Sequence, residues 1–138
     1  LLNLDAVCGE LAGKELEPGD VQLLCSGTAG RPALEDIYVA GRIAARLPGS
    51  MSDAALASRA VAAAYPSARV ALGASADAGA LMELGLDSDV DWCARESVAS
   101  VIPRVRSVHL EAGARHALVS ASPVNADIDG NLTVSHNI

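Results

Sequence analysis

The stretch LLCSGTAGRPALED, Leu23 to Asp36, constrains the fold more than any other part of the chain. It reads as a buried strand over Val21 to Cys25, a turn through Gly27 and Gly30, and a helix with two acids in its first turn. A strand-turn-helix junction leaves several backbone N–H groups without helical partners at one spot. Gly27 and Gly30 permit backbone conformations and a close approach that a Cβ would block. Ser26 and Thr28 add hydroxyl donors, and Arg31 adds a cation able to bind an anion through two bonds. Such a constellation can cradle a phosphate or a carboxylate. Glu35 and Asp36 follow with hard oxygens suited to Mg²⁺, which takes one or two protein carboxylates plus substrate oxygens. The same pattern serves many α/β proteins merely to reverse the chain, with first-turn acids complementing the helix dipole. It is neither a P-loop, since no Gly-Lys-Ser/Thr follows, nor a dinucleotide fingerprint, since the third glycine is missing.

The rest of the chain supplies helices and strands around this junction. Asn3 is placed to cap a helix running through Leu11. After the EPGD turn (Glu17 to Asp20) and the junction, Leu34, Ile37, Gly41, Ala44 and Leu47 form one stripe of a helix that ends at LPGS. Ser52 caps the next helix, which Pro66 closes. RVALGAS (Arg69 to Ser75) fits a short strand or an irregular lead-in. ADAGALMELG then reads as a helix with Gly85 just beyond its end. A short helix from Asp87 or Ser88 carries Trp92 and Cys93, and VASVIPRV is strand-like until Pro103 interrupts it. HALVSAS and DIDGNLTVSH give further strand pieces, the latter around an Asp-Gly-Asn turn. Helices and strands alternating in this way predict one α/β domain over residues 1–138, layered α/β/α with a mixed or mostly parallel sheet.

Composition narrows function. The chain has 138 residues, no Phe, one Trp and two Tyr, so its core must come from Val, Leu, Ile and Ala. A net charge of -7 argues against nucleic acid, because no basic face exists to neutralise phosphates. An anionic substrate would need local donors or a metal, since the overall field repels it. No apolar run approaches the roughly 20 residues of a membrane span. Three widely spaced cysteines without a CxxC pattern suggest a reducing, cytoplasmic setting rather than a disulfide framework. The chain opens on LLNLDAV, apolar at once and without Met, which leads to the expectation of a piece of a longer protein.

LLCSGTAGRPALEDIYVAGRIAARL resembles the 2-phosphosulfolactate phosphatase family, whose members carry Cys-Ala/Ser-Gly-Thr-x-Gly, a short spacer, Leu-Glu-Asp, then Ala-Gly on a helix. The likeness continues through NLDAV before it, SDAA (Ser52 to Ala55) and LMELGLDSDVDWCA (Leu81 to Ala94) after it, ending near VIP (Val101 to Pro103). It spans about three quarters of the chain. The resemblance implies Mg²⁺-dependent hydrolysis of a small organic phosphate ester such as 2-phosphosulfolactate. It also implies that this chain is the C-terminal part of the fold, with the N-terminal half as partner or a homo-oligomer in its place. Residues carried over are Cys25, Gly27, Thr28 and Gly30, with Glu35 and Asp36 following. Where relatives often have Ser-x-His-Gly or Ser-x-Ser-Gly, this chain has SADAGAL, with Asp77 in place of the His or Ser. Residues 107–138 lie outside the resemblance.

The site expected from these readings has Cys25 as candidate nucleophile, Ser26, Gly27, Thr28, Gly30 and Arg31 on the substrate, and Glu35 and Asp36 on Mg²⁺. Gly27→Val is expected to remove turnover while leaving the fold largely intact. Two alternatives stand beside it: a non-catalytic anion-binding or assembly remnant, and a cysteine hydrolase pairing Cys25 with His109 or His116. Cys25 also reads as a small buried hydrophobe, and Cys8 and Cys93 as helix packing. His109, His116 and His136 have no ligand spacing, and DSDVD lacks the glycine and glutamate of a calcium loop.

Overall fold

The helices bury apolar faces, and three of the six described open on a serine cap. The computed structural model describes residues 1–13, 21–111, 114–123 and 133–135, with side chains through Val105. Six helices come first: α1 (Leu4–Ala12), α2 (Leu34–Ala44), α3 (Asp53–Ala64), α4 (Ala68–Gly73), α5 (Ala76–Glu83) and α6 (Asp87–Cys93). Ser52, Ser67 and Ser75 cap α3, α4 and α5, each accepting a backbone N–H from three residues on. Gly85, at φ +74°, ends α5 as expected: its N–H bonds the Met82 carbonyl while that of Leu86 reaches Leu81. Asn3 precedes α1 but does not cap it; its side-chain amide donates instead to the Val101 carbonyl at 3.0 Å.

The strands follow the helices rather than alternating with them. They are β1 (Val101–Glu111), β2 (Ala114–Pro123) and β3 (Thr133–Ser135), in the order β2-β1-β3. β2 runs antiparallel to β1 and β3 parallel, so the sheet is mixed. Three sequence expectations change here. Arg69 to Gly73 lie in helix α4, whose Ala68, Ala71 and Leu72 share a buried face, and Ser75 already caps α5. Pro103 does not interrupt β1, which runs through it in register with Ala121 of β2; among the described residues β3 pairs only with Ser107–His109, so the other edge of β1 is open at Pro103, where a proline is tolerated. Val21 to Cys25 is not a buried strand; no described strand pairs with it, and Leu24 is 90% exposed. The EPGD turn, the Asp-Gly-Asn turn and His136 lie outside the described residues.

The core is built on alanine. Tyr38 is 1% exposed and sits among Ala62, Ala68, Ala71, Leu72, Ala78 and Val90. Tyr65 meets the Tyr38 ring edge-on at 6.3 Å. Side chains this small let helices approach closely, and Gly41 of α2 carries the closest approach: a Cβ there would overlap the Ser58 carbonyl of α3. Arg42 ties this core to the chain beyond α6. It forms two bonds to Glu96, at 2.5 and 2.8 Å, and a third to the Tyr38 hydroxyl at 2.8 Å. Residues 97–101 hold the N-terminal segment, with Ser97 and Ala99 donating to the Leu1 and Leu2 carbonyls.

Candidate functional site

The glycine turn is built as a tight reversal. Thr28 and Arg31 exchange backbone hydrogen bonds at 2.9 and 3.0 Å around Ala29 and Gly30. Both central residues have positive φ, +51° and +74°, as a type I′ turn requires. Gly27 precedes it at φ +66°, and a Cβ there would overlap the Arg31 carbonyl oxygen. Gly27 is therefore a packing requirement, and the expectation that Gly27→Val spares the fold is corrected. At Gly30 an added Cβ would meet nothing within 4 Å, so close approach from outside is open there.

Two helix N-termini converge on this turn. Asp36, in the first turn of α2, accepts from the Gly27 N–H at 2.7 Å and the Ser26 hydroxyl at 3.4 Å. Asp77, in the first turn of α5, pairs with the Thr28 hydroxyl across 49 residues of sequence. Sequence reasoning marked Asp77 as a departure but had no means of placing it against Thr28. Glu35, one residue before Asp36, stands roughly 100° round the helix and has no described bond to the turn. The amides of Ala29 and Gly30 and the exposed Arg31 guanidinium make no bond among the described residues. The turn thus offers unused donors beside two carboxylates. Among the described residues no group of three or more His, Cys, Asp and Glu side chains gathers in metal-binding fashion.

Cys25 is exposed rather than buried, and it lines a cavity of about 710 Å³ between Val21–Cys25, α2 and the start of α3. Partial desolvation, and secondarily the Asp36 carboxylate, push its thiol up. That direction opposes nucleophile activation. Cys8 is buried as expected, whereas Cys93 is exposed. His109 and His116 are register partners across β1 and β2. Asp87 and Asp89 open α6, and Asp91 pairs with Arg69, so DSDVD behaves as a helix start.

A family model described as 2-phosphosulpholactate phosphatase matches residues 1–108. A probable 2-phosphosulfolactate phosphatase of Thermus thermophilus is 39% identical over 97 residues, covering 67% of this chain and 41% of the relative. One from Thermotoga maritima is 35% identical over 104 residues, 74% of this chain and 44% of the relative. The 2-phosphosulfolactate phosphatase of Methanothermobacter thermautotrophicus is 35% identical over 113 residues, 80% of this chain and 48% of the relative. The chain spans less than half the length of each of these relatives.

Proposed function

The chain belongs to the 2-phosphosulfolactate phosphatase family, and on that premise we propose that it forms part of a hydrolase of small organic phosphate esters such as 2-phosphosulfolactate. The observation that carries this reading is the convergence of the first turns of α2 and α5 on one glycine turn. Two helix N-termini concentrate positive potential where a phosphoryl group would sit. The Ala29 and Gly30 amides and the Arg31 guanidinium are the donors that would meet its oxygens, while the Thr28 hydroxyl, bonded to Asp77, positions the turn beside that carboxylate. Asp36 holds Gly27 and Ser26 in place and so keeps the turn in the shape this needs.

Two carboxylates at an anion site need a cation between them and the substrate. Asp36 and Asp77 supply hard oxygens to the same turn, a donor set that fits Mg²⁺ better than the adjacent pair Glu35 and Asp36, whose side chains diverge. When bound there, the ion would polarise the phosphoryl oxygens and offset the charge that builds as the ester bond breaks. Water is the attacking group in this reading, because the Cys25 thiol holds its proton above the ordinary range. The free cysteines suit a reducing cytoplasm. Among the described residues no helix is long and apolar enough to cross a membrane.

The test is release of inorganic phosphate from 2-phosphosulfolactate by the protein, with Mg²⁺ and with the ion chelated. Arg31→Ala and Thr28→Ala are expected to lower kcat/KM by about 10- to 100-fold, the loss of a bond to a charged group. A protein that neither releases phosphate nor binds inorganic phosphate would overturn the reading.

A further inference from the structure

Val21 to Cys25 has the pattern of a strand and none of a strand's partners. Val21 and Leu23 are half-buried while Gln22 and Leu24 are exposed, a period of two. Among the described residues, none of the backbone N–H or C=O groups of this stretch is hydrogen-bonded. Leu24 is almost fully in solvent. The cavity of about 710 Å³ is lined by the same stretch together with Ala40, Ala44, Leu47, Met51 and Ala55. An apolar stretch with an open backbone edge beside an apolar groove is a template for strand addition.

The occupant follows from length and charge. More than half of each curated relative lies outside the part that this chain matches, which is ample polypeptide for another strand and its side chains. A second copy is the weaker candidate, since two chains of net charge -7 repel one another. We propose that Val21–Cys25 is a strand position that pairs with an extended apolar strand from the part of the family fold this chain does not span. That pairing would insert this half into a larger layered sheet, with α2 and α3 on one face. It would also bury Cys25 and fix the chain immediately before Ser26, so the docking strand would set the position of the glycine turn. The inference rests on the open edge and the length difference, and stands whether or not the ester reading does.

Hydrogen exchange tests it, on the 138-residue chain alone and mixed with the part of the Thermus thermophilus relative that lies outside the match. The Leu23, Leu24 and Cys25 amides are expected to slow by about 100-fold or more in the mixture, as strand amides do when paired. Cys25 alkylation should fall about tenfold as the thiol is covered. Leu23→Pro, which removes an N–H, should abolish both effects. Leu24→Asp, at an exposed position that the isolated chain does not need, should weaken association by about tenfold or more. Protection that grows with the chain's own concentration would instead make a second copy the occupant and overturn the proposal. Amides that exchange at unstructured rates at every concentration of either polypeptide would overturn it as well.

Discussion

Gly27 and Gly30 lie three residues apart with similar positive φ, yet the chain uses them differently. At Gly30 a side chain meets only the conformational cost of a left-handed backbone, whereas at Gly27 it also meets the Arg31 carbonyl. Gly30→Ala is therefore expected to cost about 1 kcal/mol and Gly27→Ala about 3 kcal/mol or more, read from urea unfolding midpoints. Equal costs would mean the turn relaxes around Gly27. Cys25 gives a pH-dependent expectation. Desolvation first, then Asp36, raise its folded pKa, so the native state keeps a proton that the unfolded state loses. Cys25 thus contributes a loss of stability as pH rises through the thiol range, and nothing below it. Its alkylation at pH 8 should run slower than that of a free thiol, and Asp36→Asn should speed it up. A wild-type rate equal to the free thiol's would contradict the assigned environment.

At the scale of elements, the contact between α2 and α3 is set by what is absent. A methyl at Gly41 would overlap the Ser58 carbonyl and lie 2.8 Å from the Ala62 Cβ. Gly41→Ala gains about 1 kcal/mol of helix propensity but overpacks a close crossing, which costs about 1 to 3 kcal/mol. The expected sign is destabilising, and a raised melting temperature would show the helices free to separate. Ser52→Ala should remove about 1 kcal/mol by losing the α3 cap, whose hydroxyl accepts from Ala55. The positions of α2, α3, α5 and α6, with the Ser52 cap of α3 and Gly85 beyond α5, were legible because these signals lie within about four positions of one another. Helix α4 was equally local in its signals, Ser67 and the spacing of Ala68, Ala71 and Leu72, but six residues are too few for periodicity to separate helix from strand.

For the molecule as a whole, a ligand that binds only the folded state raises its melting temperature by mass action. If Mg²⁺ binds between Asp36 and Asp77, saturating ion should lift the melting temperature by a few degrees, and either Asp36→Asn or Asp77→Asn should remove the shift. A shift unchanged in both variants would place the ion elsewhere, and a shift lost only with Glu35→Gln would restore the adjacent pair. Sequence alone placed five of the six described helices, the glycine reversal and the family, because start and stop residues, turn residues and ordered motifs are written in neighbouring positions. It also pointed to Asp36, which its place in the first turn of α2 sets beside the residues just upstream. Tertiary structure decided the rest. The meeting of Asp77 with Thr28 joins residues 49 apart, and no local periodicity encodes that distance. Tyr38 became the centre of an alanine core only when four helices closed around it. Val21 to Cys25 carries the alternation of a strand, but a strand exists only through its neighbours' hydrogen bonds, and among the described residues this stretch makes none.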